Sequence, residues 1–368
     1  MYKGTGISKD QLSDDGEPCI LYGELYTKYK SETIREVISK TNIDNTKLVR
    51  SIANDVIIPC SGETAEDIAT ARCVLNGNIL LGGDLNIIRL HGYDGTFMSY
   101  QLNGKRKYDI AKVAQGVSVV HLYGEHLKGV KTINPCLTEQ KKIASLLALL
   151  DERISTQSKI IEDLKELKSA IIENHYNQTK KQTASIADLG EPFSVGNLTK
   201  DDLTETGMPC VVYGELFTTY GETISQIESH TNKTTGMIMS KKRDLLFPSS
   251  TTVDAMSLIA PSVINVDGVI LGGDMFGIHI NQNYNAQYLS YYFNHIAKRQ
   301  LAKFAKGSTI IHLHYADIEK AKLLLPSLEE QNRMAKCLVI LDDKIKVENS
   351  LLNLLNSQKA YLLCKMFI

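Results

Sequence analysis

The chain carries an internal repeat at an offset of about 190 residues. Residues 16–25 return as residues 207–216, with seven of ten positions identical. Residues 81–84 return as 271–274, and residues 116–122 return as 307–313. Solenoid repeats have far shorter periods, so this spacing predicts two tandem copies of one domain-sized unit. Such a protein suits contact with two similar targets at a fixed separation.

Composition limits the class and the location of the protein. The 368 residues are 43% hydrophobic and 23% charged, as in ordinary globular proteins of two or three domains. A net charge of -1 gives no overall signal for nucleic acid or membrane, so a binding claim must rest on local clusters. Seven cysteines without a CxxC pair predict buried, reduced thiols. Without a signal-peptide-like start or an apolar run of ~18 residues, the expected location is cytoplasmic, with no membrane contact.

The first part of each repeat, residues 1–136 and 182–326, is rich in glycine and in short apolar runs bounded by turn residues. Such runs predict strands, here at residues 56–58, 79–81, 86–88, 117–120 and 269–271. Helices are predicted at residues 96–103 and 287–294. The expected fold class is a compact α/β or α+β domain in two copies.

The second part of each repeat, residues 137–181 and 327–368, predicts a long helix. Its apolar residues recur at alternating steps of four and three, the pattern of a coiled coil. This seam consists of Ile143, Leu147, Leu150, Ile154, Ile161, Leu164 and Ile171 in the first helix, and of Met334, Leu338, Leu341, Ile345, Leu352, Leu355, Leu362 and Met366 in the second. Polar interruptions fall at matching positions, Gln157 with Glu348 and Lys168 with Lys359. A generic surface helix would not repeat its own interruptions.

Each apolar seam must be buried, and the nearest partner for one long helix is the other. A twofold arrangement makes the helices antiparallel and puts the domains at opposite ends, which gives a pseudo-twofold dumbbell. The alternative is that the seams join separate chains into an oligomer.

Motifs for catalysis are missing from the sequence. It lacks a GxxxxGK[ST] phosphate loop, a GxGxxG dinucleotide loop, an HExxH zinc motif, a GxSxG nucleophile elbow and the motif with which amino-methyltransferases grip a flipped base. We therefore predict no catalytic residue. Asp84 and Asp274, in the repeated Gly-Gly-Asp, fit a turn better than a metal site. His312 and His314 could ligate zinc from one strand face, but the first repeat has Tyr123 in place of His314, so no metal site is predicted.

Positive charge beside small hydroxyls is the main local signal for DNA. Lysine, arginine, serine and threonine side chains and backbone amides all bind phosphates. In the first repeat the candidates are Lys105, Arg106, Lys107, Lys112, Ser118 and His121. In the second they are Lys298, Arg299, Lys303, Lys306, Ser308, Thr309 and His312, with a further cluster of Lys241, Lys242 and Arg243. Recurrence at matching positions favours phosphate binding over an ordinary solvated face.

A polar loop after a proline offers a second candidate surface. It carries Ser61, Glu63 and Thr64 in the first repeat, and Ser250, Thr251 and Thr252 in the second. These side chains could read base edges, with Glu63 accepting from a cytosine amino group, or could be ordinary turn and capping residues. The repeated Tyr-Gly-Glu-Leu segment adds Tyr22, Glu24, Tyr213 and Glu215 as candidate DNA contacts.

A proline-to-helix motif opens both long helices. The motif Pro135-x-Leu137-x-Glu139-Gln140-x-x-Ile143-Ala144 recurs as Pro326-x-Leu328-x-Glu330-Gln331-x-x-Met334-Ala335, and Leu150-Asp151 recurs as Leu341-Asp342. With the upstream Gly-Ser/Thr and His-Leu elements, this pattern closely resembles the specificity subunit of type I restriction-modification systems. The resemblance covers essentially the whole chain.

The resemblance implies a DNA-binding protein without catalytic residues or cofactors of its own. Residues 1–136 and 182–326 would be target recognition domains, each reading one half of a bipartite site in double-stranded DNA. The helices would set the unread gap and dock two methyltransferase subunits, which bind S-adenosylmethionine and methylate adenine at N6. Restriction subunits, which use ATP and Mg²⁺, would join the same assembly.

Two features depart from the family pattern. Residues 186–193 resemble the family's lead-in to a recognition domain, and the first repeat has no equivalent. Its start then lies upstream, or its domain lacks an edge strand. The two recognition domains are also unusually alike, which predicts related half-sites and a partly palindromic target.

Two other classes of protein remain as alternatives. A structural adaptor would use its two domains to bind proteins at a fixed distance. A stand-alone nuclease or transferase would need a catalytic cluster that the sequence does not contain.

Overall fold

The computed structural model describes residues 1–44, 46–116 and 119–367, which form two compact units. Unit 1 is Met1–Ile160 with Glu348–Ile368, and unit 2 is Ile161–Val347. Each unit contains one globular domain and a stretch of both long helices. The two sheet-containing domains and the two long helices predicted from the repeat are confirmed.

Unit 1 contains two five-stranded sheets and a two-stranded ribbon. In hydrogen-bonding order, the first sheet is Tyr2–Lys3, Leu85–Ile88, Asp55–Pro59, Arg72–Val74 and Thr33–Ile34. The second sheet is Leu12–Ser13, Ser39–Thr41, Glu17–Ile20, Leu80–Leu81 and Val49–Arg50. The ribbon pairs Ser61–Gly62 with Val120–His121. The short helices are Lys9–Gln11, Glu24–Thr27, Ala65–Ile68, Gly95–Asn103, Lys107–Val113 and Gly124–Lys128.

Unit 2 repeats this plan. Its first sheet is Gly190–Ser194, Met275–Ile280, Asp244–Pro248, Ser262–Ile264 and Thr223–Ile224, and its second is Leu203–Thr204, Ser229–Thr231, Met208–Val212, Ile270–Gly272 and Ile238–Met239. Two ribbons pair Ser250–Thr251 with Ile311–His312, and Gln182–Ser185 with Lys322–Leu325. The short helices are Ile186–Leu189, Lys200–Asp202, Glu215–Thr218, Ala255–Leu258, Ala286–His295, Lys298–Ala302 and Tyr315–Ile318.

The two long helices are Leu137–Gln178, which we call the central helix, and Leu328–Lys365, which we call the C-terminal helix. The predicted strands at residues 56–58, 79–81, 86–88 and 269–271 all overlap observed strands. Of the predicted strand at 117–120, Val117 and Ser118 lie outside the described residues. Across the part of the chain that the structure describes, no helix is long and apolar enough to cross a membrane.

The predicted seams are buried within the chain. In unit 1, Ile143 and Leu147 pack in one cluster with Leu362 and Met366. In unit 2, Ile171 packs in one core with Met334 and Leu338, which is fully buried. The helices are antiparallel in each unit, because residue numbers rise along one helix as they fall along the other. The seam residues in these clusters therefore meet partners in the same chain and are not left to join separate chains.

The polar interruptions of the seam are paired as well. In unit 1 the side-chain nitrogen of Gln157 donates to the backbone oxygen of Glu348 at 3.1 Å and also to its carboxylate. Both side chains are buried. A buried polar pair in a coiled coil fixes the register of the two helices, because sliding either helix would leave the pair unsatisfied.

The glutamine of the proline-to-helix motif ties each long helix to its domain. Gln140 is buried, donates to the Pro135 carbonyl at 2.7 Å and accepts from the backbone nitrogen of Asp94 at 2.9 Å. Gln331 repeats this arrangement with Pro326 and Asn285, at 2.9 Å for each bond. Asp94 and Asn285 are themselves the N-caps of the helices Gly95–Asn103 and Ala286–His295. One buried amide therefore satisfies groups at the starts of two helices, which explains why the motif occurs twice.

The repeated Gly-Gly-Asp forms a turn between strands, as the sequence predicts. In unit 1 it joins Leu80–Leu81 to Leu85–Ile88, and Asp84 has a positive φ of 57°. The carbonyl of Asp84 accepts from Cys60 at 2.7 Å, and that of Asp274 accepts from Ser249 at 2.7 Å. The turn thereby holds the residue just before each polar loop.

The two units differ in the lead-in segment. The ribbon of Gln182–Ser185 with Lys322–Leu325 has no counterpart among the strands described for unit 1. The strand Gly190–Ser194 does have one, since Tyr2–Lys3 pairs with the matching neighbour in a shorter, two-residue form.

Cysteine placement corrects one expectation. All seven cysteines are free, but only Cys19, Cys73 and Cys210 are buried. Cys136, Cys337 and Cys364 are exposed, because they lie at the start of the central helix or on the C-terminal helix rather than in a core.

Candidate nucleic-acid interface

The small ribbon in each unit brings the predicted polar loop against the predicted histidine segment. Ser61 pairs with His121 in unit 1, and Ser250 pairs with His312 in unit 2. His121 and His312 are both exposed. We call residues 61–64 and 250–254 the reading loops. Two regions that the sequence could only propose separately therefore form one surface in each unit.

A short basic helix borders each reading loop. Lys107–Val113 packs on the helix Ala65–Ile68 that follows the first reading loop, and Lys298–Ala302 packs on Ala255–Leu258 after the second. Hydrogen bonds from Ser257 lower the pKa of Asp254, and the nearby charge of Lys298 lowers it further. The repeated lysines of these helices thus lie beside the loops, as phosphate contacts beside base-reading groups would require.

A cleft of about 830 Å³ opens beside the reading loop of unit 2. Its lining includes Tyr213, Phe217, Val253 and Ile310. Val253 is 71% exposed. The cleft also contains charged groups and several hydroxyls, so it combines apolar and aromatic surface with a cation, a carboxylate and hydrogen-bonding side chains.

Unit 1 places the matching residues together. Tyr22 and Tyr26 occupy the repeat positions of Tyr213 and Phe217. Burial raises the pKa of the Tyr26 phenol, and the nearby Tyr22, Asp67 and Glu63 raise it further. The first reading loop, which carries Glu63, is therefore near enough to Tyr26 for its charge to act on the phenol.

Several predicted DNA contacts have internal roles instead. Glu24 is buried; it accepts from the Leu21 nitrogen at 2.9 Å and is hydrogen-bonded by Ser39. Glu215 makes the equivalent bonds to Val212, at 2.8 Å, and Ser229, at 2.5 Å. Carboxylates satisfied in this way hold the Tyr-Gly-Glu-Leu turn and have little acceptor capacity left for a base.

Other candidates prove to be turn or capping residues. Thr64 is the N-cap of Ala65–Ile68 and accepts from the Asp67 nitrogen at 3.1 Å. Ser61 is buried and donates to Asp84 at 3.0 Å, so it stabilises the start of the loop. For these two residues the capping and turn interpretation is the better one.

The cluster at residues 241–243 is not part of the surface. Arg243 donates to Gln282 at 2.7 Å, to the Asn281 carbonyl at 3.0 Å and to the Tyr284 carbonyl at 2.9 Å. Lys241 and Lys242 precede the strand Asp244–Pro248, whereas the reading loop follows it, so a strand of roughly 17 Å separates them. Ser118 lies outside the described residues. No cluster of three or more His, Cys, Asp or Glu side chains suited to a metal occurs among the residues that are described.

A buried charge cluster joins each domain to the helix pair. In unit 1, Lys359 contacts Glu32 at 2.6 Å and Asp151 at 2.7 Å, and Tyr100 donates to Asp151 at 2.7 Å. In unit 2, Lys168 contacts Asp342 at 2.6 Å and Glu222 at 3.0 Å, and Tyr291 donates to Asp342 at 2.5 Å. The seam lysines that interrupt both heptad patterns therefore anchor the domains.

The Glu222 carboxyl makes the stability of unit 2 depend on pH. Burial alone would raise its pKa, but the hydrogen bond with His295 and the charge of Lys168 outweigh burial and bring the pKa to about 2. A carboxyl with a lowered pKa contributes stability above its unfolded pKa, about 4.3, and loses that contribution as the pH falls toward its folded pKa.

We expect Glu222→Gln to lower the free energy of unfolding by about 3 kcal/mol at pH 7, from a pKa shift of roughly two units. The difference in unfolding free energy between wild type and variant should fall to under half of its pH 7 value by pH 3. Chemical denaturation of both proteins from pH 7 to pH 3 measures this difference. A difference that is constant with pH would show that the charge of Glu222 is not what stabilises unit 2.

The helices also carry an apolar stripe of exposed residues that do not belong to the seam. In unit 1, Leu149 is 60% exposed, and it lines a groove of about 550 Å³ with Leu146 and Leu351. In unit 2, Ile340 is 70% exposed, and Leu167 and Val347 are exposed too. Leu149 and Ile340 occupy matching repeat positions. Each unit therefore presents an uncovered apolar surface of the kind that marks a protein interface.

Sequence reasoning missed several residues of the cleft. These are Lys200, Phe217, Val253 and Ile310 in unit 2, and Tyr26 beside the reading loop of unit 1. The repeat contains a signal for some of them, because Lys9 matches Lys200 and Tyr26 matches Phe217. Tyr26 and Phe217 resemble core aromatics in sequence, and only the structure shows that they are more than a third exposed.

Comparison with known proteins supports one family. Residues 179–357 match the model of the type I restriction modification DNA specificity domain. The chain is 22% identical over 354 residues to the type I restriction enzyme MjaVIII specificity subunit of Methanocaldococcus jannaschii, covering 89% of this chain and 80% of that protein. It is 23% identical over 359 residues to the putative MjaX specificity subunit of the same organism, covering 85% and 80%.

Solved structures agree on the fold. The S subunit of a type I restriction-modification system from M. genitalium superposes with a TM-score of 0.63 at 16% identity, over 100% of this chain and 93% of that one. A chain from a study of complex assembly and conformational transition of the type I R-M system gives a TM-score of 0.57 at 13% identity, over 98% and 93%. The chain is therefore similar along most of its length to the specificity subunits of type I restriction-modification systems, and its residues 179–357 match the DNA specificity domain of that family.

Proposed function

We propose that unit 1 and unit 2 each read one half of a bipartite site in double-stranded DNA. One observation carries the proposal: the same composite surface of reading loop, histidine ribbon and basic helix is built twice, from residues about 190 positions apart. Lysines beside each loop would bind phosphates, and loop and cleft side chains would read base edges.

The long helices would set the gap between the half-sites and dock two methyltransferase subunits. The repeated apolar stripe, with Leu149 in one unit and Ile340 in the other, supports two equivalent docking surfaces. The docked subunits would bind S-adenosylmethionine, flip an adenine and methylate its N6 atom. Restriction subunits using ATP and Mg²⁺ would join the complex, which would act on DNA in the cytoplasm.

The near-neutral net charge of the chain is consistent with these separate roles of the subunits. A net charge of -1 gives no long-range attraction to the DNA polyanion, so local lysines must position the duplex. The methyltransferase subunits would then supply most of the positive clamp around the duplex. Binding by the complex should be tight and sensitive to salt, whereas an adaptor for protein ligands would bind no DNA even with the methyltransferase present.

Lengthening both helices tests whether the helices set the length of the unread gap. Four residues inserted after Ser158 and four after Asn349, which occupy matching repeat positions, should lengthen each helix by about 6 Å. At about 3.4 Å per base pair, the unread gap should widen by one or two base pairs while both half-sites stay the same. Sequencing of methylated DNA from cells that express the variant with its methyltransferase gives the motif.

A substitution without insertion at the same place is the control. Lys159→Ala changes an exposed residue of the same helix and should leave the gap unchanged. If the lengthened protein methylates DNA at the original spacing, the helices do not set the gap.

A further inference from the structure

We propose that each reading loop, with the aromatic side chain beside it, sets one base of each half-site, and that the two loops select different bases. Unit 1 selects cytosine at this position, and unit 2 selects thymine. The inference rests on the proposed function, because it concerns the same DNA-reading surface. It also limits the expected palindrome, since the half-sites differ where the two loops differ.

The two reading loops share one framework. Tyr22 and Tyr213 occupy the same repeat position, as do Lys9 and Lys200. The two loops start from equivalent ribbon strands and end at equivalent N-caps, Thr64 and Asp254. A difference in specificity must therefore come from the few side chains that differ between the loops and their aromatic neighbours.

The cleft of unit 2 offers apolar side chains beside the loop. Phe217, Ile310 and the loop residue Val253 line it. Ile310 is 50% exposed and Val253 is 71% exposed, so apolar surface is available to a ligand. The loop residues Ser250, Thr251 and Thr252 also line the cleft and add hydroxyls. An apolar pocket at a base edge favours the thymine methyl group, the apolar feature of the major groove.

The reading loop of unit 1 is acidic at the same place. It carries the exposed Glu63 in place of the threonine and valine of unit 2. Tyr26, in place of Phe217, adds a phenol that the charges of Asp67 and Glu63 both influence. Asp67 accepts a local hydrogen bond from Thr64 at 2.7 Å, whereas Glu63 is exposed to solvent.

The base edges decide which base suits a lone carboxylate. Cytosine presents an amino donor in the major groove, and a carboxylate accepts from it. Adenine presents an amino donor beside the N7 acceptor, which would repel a carboxylate. Guanine and thymine present acceptors at this edge. Glu63 therefore selects cytosine.

Substitution of Glu63 tests the inference in the complex with the methyltransferase. Glu63→Gln keeps the size of the side chain but adds a donor, and glutamine pairs with the N6 and N7 atoms of adenine. We expect one position of the first half-site to change from cytosine to adenine, with a preference of roughly tenfold, and the second half-site to stay the same. The matched control is Glu66→Gln, which changes an exposed carboxylate of the adjoining helix and should leave the motif unchanged.

A loop exchange provides an independent second variant. Residues 62–64 are replaced by the sequence of residues 251–254, together with Tyr26→Phe. The fold should tolerate the change, because a side chain at Gly62 would meet no atom closer than 3.7 Å. The same position of the first half-site should then become thymine.

The outcomes separate the inference from the proposed function. A bipartite wild-type motif that stays unchanged in both variants overturns the inference alone. Methylation lost without a new motif, or a change in the second half-site, also overturns it. A wild-type complex that methylates no bipartite motif overturns the proposed function and the inference together.

Discussion

Lys359→Ala is expected to destabilise unit 1 by about 3–5 kcal/mol, since it removes the cation that contacts both members of a buried pair of carboxylates. Glu32 and Asp151 both contact the lysine, and their side chains are only 8% and 10% exposed. Burial would lower the pKa of Lys359, but these two carboxylates outweigh burial and raise it. The lysine is therefore charged in the folded chain, and its loss removes the direct ion pair of two buried carboxylates.

The equivalent change in unit 2 should cost less. Lys168→Ala also removes a cation from two carboxylates, but Glu222 and Asp342 are 21% and 28% exposed. Water can solvate them in part, and His295 still contacts Glu222 at 3.0 Å. The order of the two losses follows from burial, because the same residue type has the same partners in both units.

Hydrogen–deuterium exchange measures each unit separately. In Lys359→Ala, exchange in the strand Arg72–Val74 of unit 1 should accelerate far more than exchange in the strand Asp244–Pro248 of unit 2. Lys365→Ala alters an exposed lysine of the same helix and should change stability by less than about 0.5 kcal/mol. Equal losses for Lys359→Ala and Lys365→Ala would show that the buried cluster does not stabilise the domain.

A charge introduced into the apolar stripe of one unit should abolish docking of one methyltransferase subunit and leave the other docked. Leu149→Glu and Ile340→Glu each place a carboxylate in the middle of a proposed docking surface. Loss of a buried anchor costs about 2 kcal/mol or more, and burial of an unpaired charge adds to this cost, so binding at that surface should weaken about 100-fold. Neither side chain belongs to the seam, so the fold should persist.

Subunit stoichiometry is the measurement that checks this expectation. Native mass spectrometry should give one methyltransferase per chain for either single variant, and none for the double variant. Ser155→Glu puts the same charge on an exposed position outside the groove and should keep two. Two subunits on the double variant would show that docking uses another surface.

The sequence predicts the elements that depend on local patterns. The heptads of the two long helices, the Gly-Gly-Asp turn and the helices near residues 96 and 287 all occur where the local pattern indicates them. The proline-to-helix motif was also visible, although only the structure shows that Gln140 and Gln331 satisfy groups at two helix starts.

The candidate site was harder to predict because it depends on distant pairing. Ser61 meets His121 across 60 residues of chain, and no local pattern indicates that pairing. Glu24 resembles a surface carboxylate in sequence, yet it is buried and accepts hydrogen bonds from Leu21 and Ser39. Arg243 appears in a basic cluster, but three acceptors from distant residues occupy its guanidinium. Burial and long-range contacts, rather than residue type, decide which of these groups remain available to DNA.

The motif methylated by the complex of this chain with its methyltransferase tests the central claim most directly. Sequencing of methylated adenines should give one bipartite motif, with two short specified halves, an unread gap between them and a methylated adenine in each half. Methylation that depends on this chain but falls in one continuous motif would contradict two separate readers. Methylation that is the same without the chain would contradict its role in specificity.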